Sequence, residues 1–210
     1  MLHLKRQDFD DLDHLHRINL INSCSGFKSA NLIGTKSNDG IPNVAIFSSV
    51  THFGSNPPLL GIIFRPVSDV PRNTYENIKE TGQFTINHIH RDIIEQAHHT
   101  SAKYDKRISE FDVTELEEEY KNNWHAPFVK GVPIQIALTF CEEYKIKANN
   151  TIQLIAEIKD LYVKDELIEK DGFINLSKAN VMTINGLDGY ALPSLKQRID
   201  YQRPIKLSLI

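Results

Sequence analysis

The stretch from Ala30 to Asn87 limits what this chain can become, because its apolar runs are short and turn residues separate them. Ala30-Asn-Leu-Ile-Gly-Thr-Lys36 suits a buried strand, and Ser37-Asn-Asp-Gly40 after it is turn chemistry. Ile41 to Val50 reads as a second strand, with Pro42 near its start, where a missing N–H costs least. Thr51 to Pro58 reads as a loop, and Leu59-Leu-Gly-Ile-Ile-Phe64 as a third strand closed by Arg65-Pro66. Asn73, with Glu76 three residues on, can cap a short helix that Gly82 stops. Gln83-Phe-Thr-Ile-Asn87 then alternates polar and apolar residues, the period of a half-buried strand.

The flanks add helices and more strands. Leu12, Leu15 and Ile18 at three-residue steps predict a helix over residues 8–22, packed on the rest. Asp92 with Glu95 predicts a helix to about Thr100, followed by a polar loop from Ser101 to Ser109. Thr114 with Glu117 repeats the capping signature ahead of an acidic turn that ends at Tyr120. Ile134 to Cys141 is a long strand, extended by Glu142 to Lys147; Asn149-Asn150 turn the chain, and Thr151 to Ile158 returns. Leu161 to Ile168 continues the alternation, and Leu176 to Ile184 reads as a final strand. Strands in hairpin succession with short inserted helices predict a mostly β fold, a closed antiparallel barrel of Greek-key type. Closure also protects strand edges. No Pro/Gly/Ser linker divides the chain, so residues 1–210 read as one domain.

The order of motifs in this stretch carries a resemblance. Asn43-x-Ala45, Ser48-Ser49, Pro57-Pro58, Arg65-Pro66, Thr74-x-x-Asn77-Ile78 and Gly82-x-Phe84-x-x-Asn87 follow one another at spacings that resemble the flavin reductase-like family. Each element alone is common; six in this order are specific. The likeness is strongest from Ile33 to Asn87. It weakens through Ser109-Glu110-Phe111, Val132-Pro133, Asp188-Gly-Tyr190 and Tyr201-Gln-Arg-Pro204. The resemblance implies an FMN-binding split β-barrel, as in flavoredoxin, and a homodimer in which a second subunit closes the flavin site. Ile134–Phe140 and Leu207–Ile210 are candidate dimer contacts, with intramolecular core as the alternative.

FMN sets a protein three tasks: to hold a near-dianionic phosphate, to seat a ring with one polar and one apolar edge, and to leave N5 open to hydride. For the phosphate, Arg65 and Arg72 offer cationic donors, Thr74 a hydroxyl, and the following helix its free N–H groups. The resemblance places Ser48, Ser49, Arg65 and Thr74 beside the phosphate, Arg72 less clearly, and includes Asn77 in the same motif. For the ring, the backbone from Asn43 to Ser49 can bond the pyrimidine edge, Ala45 permits close approach, and Ile46 and Phe47 can cover apolar area. Without the motif order the same residues read as strand end, helix cap and ordinary core. By resemblance, His98, Ser101 and Tyr104 border the flavin.

Composition excludes several classes of function. Lys+Arg 24 against Asp+Glu 27 leaves no field to gather nucleic acid or coat an anionic membrane. No apolar run reaches membrane-helix length, and the first ten residues lack the core of a signal peptide. Cys24 and Cys141, far apart and in no metal-type spacing, allow one disulfide but read better as two free thiols in a reducing cytoplasm. His88-x-His90 and His98-His99 have no carboxylate or cysteine at a metal-binding spacing, so no metal is expected. No Gly-x-Gly-x-x-Gly fingerprint is present, but a nicotinamide need only stack on a flavin. The three cations of Ser101-Ala-Lys-Tyr-Asp-Lys-Arg107 make that loop a candidate rim for its pyrophosphate.

These readings lead to an NAD(P)H-dependent, FMN-binding oxidoreductase that passes electrons to free flavin, a ferric complex or a protein acceptor. The alternative is a non-enzymatic FMN-binding electron carrier or flavin store.

Overall fold

A computed structural model describes residues 1–67 and 72–204. The N-terminal helix starts later than its periodicity predicts. A 3₁₀ turn at Arg6–Phe9 precedes α1 (His14–Cys24), because the Asp13 carboxylate accepts from the N–H groups of Leu15 (3.0 Å) and His16 (3.3 Å) and fixes the start there. No residue of α1 is buried and Leu15 is 67% exposed, so this helix lies outside the core rather than packing into it.

Short β1 (Lys28–Ser29) leads into β2 (Asn31–Lys36), which pairs antiparallel with β3 (Pro42–Phe47) across the Ser37–Gly40 turn, where Gly40 takes φ 88°. The expected loop after β3 holds a strand instead: β4 (Thr51–Ser55) forms a hairpin with β5 (Pro58–Phe64). Most of β4 is exposed, and an edge strand of this kind lacks the alternation that marks a half-buried one. Helix α2 (Asn73–Thr81) ends at Gly82, which adopts a left-handed φ of 71°, and β6 (Gln83–His88) follows. A 3₁₀ turn at Arg91–Ile93 runs into α3 (Ile94–His99).

The capping signature at Thr114 and Glu117 opens no helix. Glu118–Glu119 is β7, paired with β8 (Phe128–Val129). The Thr114 hydroxyl donates instead to the Glu110 carbonyl at 2.7 Å and closes a turn. The long hairpin is as predicted, with β9 (Ile134–Ile146) and β10 (Thr151–Val163) paired along their length. The Leu161–Ile168 segment completes β10 and then enters a 3₁₀ turn, Asp165–Leu167. Of Leu176–Ile184 only the end is strand, β11 (Thr183–Asn185), which sits between β1 and β12 (Gly189–Ala191).

The main sheet has the order β3-β2-β6-β9-β10-β5-β4. Its outermost strands, β3 and β4, are consecutive in the chain, so the sheet bends back on itself at Ser48–Val50. Register shifts at Ile155/Ala156 and Ile158/Asp160 add the twist that such curling needs. Alternate residues then face two cores. Ile33, Ile62, Phe64, Phe84, Ile86, Ile136 and Leu138 fill the inside, where Ile78 of α2 joins them. Leu32, Val44 and Ile184 pack outside with Ala97 of α3 and with Phe111. Ile134, Ile136 and Leu138 are therefore intramolecular core, the alternative reading of that segment. Residues 207–210, the other part of the expected dimer contact, lie outside the described residues.

Candidate functional site

The polar residues of the motif run meet where α2 crosses β2 and β3. Thr35 and Asn43 are cross-strand partners, and each bonds a residue of α2. Asn43 Nδ2 donates to Thr74 Oγ1 at 3.2 Å, and Asn77 Nδ2 donates to Thr35 Oγ1 at 3.1 Å. All four side chains are buried, so each pair satisfies groups that would otherwise be desolvated without return. The Thr74 hydroxyl accepts from Asn43 and keeps its own proton to donate.

The N-terminus of α2 differs from the predicted cap. Arg72, not Asn73, is the N-cap residue, and no side chain among the described residues caps the helix. Glu76 N–H donates to the Arg72 carbonyl at 2.9 Å, which leaves the first-turn N–H groups to other acceptors. Arg72 Nε is buried and has no hydrogen-bond partner among the described residues. A buried, unpaired guanidinium N–H beside a bare helix start suits an anion. Arg65 is exposed just beyond β5.

The five remaining predicted residues play different parts. Ser49 Oγ donates to the Ile63 carbonyl at 2.9 Å and accepts from the Ile63 N–H at 3.2 Å, so its hydroxyl ties the bend to β5. The Phe47 ring meets Phe64 edge-on at 5.2 Å, at the border of the inner core. Ile46 packs against the outer core, and Ala45 and Ser48 are half-buried. Asn87 serves the frame: Nδ2 donates to the Leu32 carbonyl at 3.2 Å, and Oδ1 accepts from Val129 N–H at 3.0 Å.

Sequence reasoning gave Glu110 no role of its own. Its Oε2 accepts from the Val44 N–H at 3.1 Å on the open edge of β3, and burial pushes its carboxyl above the usual range. The one available signal was a charged residue set between Ser109 and Phe111.

The histidines pair with tyrosines: His98 Nδ1 lies 3.0 Å from Tyr190 OH and His99 Nε2 lies 2.6 Å from Tyr104 OH. Ser101 is exposed in the turn that follows α3. Among the described residues no group of three His, Cys, Asp or Glu side chains could hold a metal. No helix there is long and apolar enough to cross a membrane. A cleft of about 420 Å³, lined by His90, Asp92, Lys164 and Lys178 among others, lies beyond the far end of β6 from α2.

Comparison with known proteins agrees with the fold. A protein assigned as a flavin reductase with split barrel domain, from Shewanella frigidimarina NCIMB 400, is 44% identical, with a TM-score of 0.92 over 96% of this chain and 100% of that one. Nitrilotriacetate monooxygenase component B from Bacillus cereus shares the fold at 17% identity, with a TM-score of 0.82 over 95% of this chain and 98% of that one. Flavoredoxin of Desulfovibrio vulgaris (Miyazaki F) does so at 22% identity, with a TM-score of 0.71 over 83% and 91%. The family model described as flavin reductase like domain matches residues 25–180. The curled antiparallel sheet is therefore a split barrel, and the chain belongs to the flavin reductase-like family of flavin-related oxidoreductases.

Proposed function

We propose that this chain binds FMN and uses it to carry electrons from NADH or NADPH to a small-molecule acceptor, free flavin or a protein. The observation that supports FMN in particular is the start of α2, where, among the described residues, no side chain caps the N–H groups and the buried Arg72 Nε has no partner. A terminal phosphate has the charge and the acceptor oxygens that these donors lack. Thr74 Oγ1 is set by Asn43 to donate into the same region, and Arg65 adds charge at its rim. The run from Ala45 through Ile46 and Phe47 to Ser48, at the end of β3 and just past it, offers the backbone along which the ring would lie.

A bound flavin would supply the redox chemistry, hydride uptake and onward electron transfer. The chain's own work would be placement: the start of α2 with Arg72 and Thr74 would hold the phosphate end, and the edge of β3 would seat the ring. The loop with Lys103 and Lys106 is exposed and suits the pyrophosphate of the donor. We also propose a homodimer, as the resemblance implies. Light scattering on dilute protein should exceed the 24.0 kDa monomer mass, and the monomer value would remove that part of the reading.

The visible spectrum of the purified protein, identification of the released cofactor and anaerobic titration with each nicotinamide test the proposal. Yellow protein that releases FMN and bleaches with NADH or NADPH is expected. FMN-loaded protein that neither nicotinamide reduces would make it an electron carrier or flavin store. Protein that stays colourless with added FMN would end the flavin reading.

A further inference from the structure

The outer edge of β3 holds a buried carboxylate that the proposal above does not use. Glu110 is 5% exposed, and its Oε2 accepts the Val44 N–H. β2 takes the other edge of β3, and antiparallel pairing points the backbone of alternate residues outward. Val44 therefore shares its outward edge with Ile46, two residues and roughly 7 Å further along. Among the described residues, the Ile46 N–H makes no hydrogen bond to a turn, a loop or a side chain. This edge has one donor closed and the next open.

Glu110 has few compensating partners. Its carboxyl answers first to burial, which raises it, and then to its own N–H and that of Val44, which lower it. The titratable groups on the neighbouring elements are Glu95, His98 and His99 on α3, which contacts β3; Asp112 and Glu115 on its own segment; and Tyr190, which is hydrogen-bonded to His98. None of them contributes to its shift.

We propose that Glu110 is a positioning residue of the flavin site, which closes the β3 edge at Val44, leaves the Ile46 N–H to the carbonyl edge of the ring, and takes up a proton as the ring covers it. This rests on the flavin reading above. Covering a carboxylate with a ring removes the remaining water and favours the neutral acid. The proton comes from solvent and converts carboxylate to carboxylic acid, whose second oxygen still accepts from Val44. A bound state that holds more protons binds more weakly as pH rises between the free and bound titrations.

Riboflavin is the right probe, because it lacks the phosphate that would titrate in the same range. Its Kd is measured by fluorescence from pH 5 to 8 in the wild type and Glu110→Gln, with amide exchange of Val44 and Ile46 in both and in Glu110→Ala. The wild-type Kd should rise with pH by about tenfold for each unit of bound-state shift. Glu110→Gln keeps an acceptor for Val44 but has no proton to take, so its Kd should be flat. Val44 should be protected without ligand in the wild type and Glu110→Gln and lose protection in Glu110→Ala. Ile46 should gain protection only with riboflavin.

A purely structural Glu110 would leave the wild-type and Gln profiles coincident and overturn the proposal while the flavin reading stands. Ile46 exchange unchanged at saturating riboflavin would overturn the edge assignment. A wild type that binds neither riboflavin nor FMN would end both readings.

Discussion

Ser49 and Ile63 exchange two hydrogen bonds through one hydroxyl, which donates to the Ile63 carbonyl and accepts from its N–H. The serine side chain thus stands in for a backbone pair at the point where the sheet closes. Ser49→Ala should leave both Ile63 groups short of a partner and lower stability by about 1–3 kcal/mol. Ser48→Ala next to it, whose hydroxyl has no such task, should stay within about 0.5 kcal/mol. Urea unfolding of the two variants checks the contrast, and equal midpoints would return Ser49 to the role of a ligand contact alone.

Removing the cations near α2 should separate FMN from riboflavin. A charge-assisted hydrogen bond contributes about 1.5–3 kcal/mol, so Arg65→Ala or Arg72→Ala should weaken FMN by roughly ten- to a hundredfold and spare riboflavin. Titration of apo-protein with both ligands decides it. Loss of both ligands to the same degree would mean that the arginine in question does not read the phosphate.

Acid should find His88 first. His88 and Asn31 are cross-strand partners, and His88 Nδ1 and Asn31 Oδ1 are both buried without a hydrogen-bond partner among the described residues. Burial pushes the imidazole from 6.5 down to about 4. The unfolded chain takes a proton as pH falls through about 6.5, whereas the folded chain refuses it until about 4. Stability from the neutral ring is therefore complete above the upper value and drains away toward the lower one, at about 1.4 kcal/mol per unit of depression. His88→Leu should flatten the dependence of the unfolding midpoint on pH across that window. A variant with the wild-type slope would assign the acid sensitivity to another group.

The loop after α3 should matter to the donor and not to the flavin. Asp105 accepts from the Arg107 guanidinium at 2.9 Å, which occupies one of the three cations and leaves Lys103 and Lys106 exposed. Lys103→Ala with Lys106→Ala should raise KM for the nicotinamide, keep kcat, and leave FMN content unchanged. The difference should shrink as salt rises, because exposed charges are screened. Stopped-flow reduction at several ionic strengths measures this, and an unchanged nicotinamide dependence would make the loop a solvated connection.

The strands that proved legible are those with one face buried. Gln83–Asn87 alternates because Phe84 and Ile86 face the inner core, and β2 reads as continuous because Leu32 and Ile33 enter two cores at once. β4 was invisible for the opposite reason: Thr51 to Phe53 are all exposed and leave no period to detect. The residues at the start of α2 could be named from their order, but not the bare cap, since Asn73 has the composition of an N-cap and stands one place inside it. Glu110 was unreadable as a site residue because its contact with Val44 spans 66 positions, and no local pattern records such a pairing.

A single run of chain, β3 continued into β4, pairs with β2 before the Ser48–Val50 bend and with β5 after it. The barrel is therefore a ribbon fastened at one corner. Cutting the chain between Ser49 and Val50 would spare every strand ladder while letting the outer margins of β3 and β4 move apart. Loosening of this corner is the event that would let a neighbouring molecule add its own strand, so misassembly of this fold should begin at Ser48–Val50 rather than at the long, exposed β9–β10 arm.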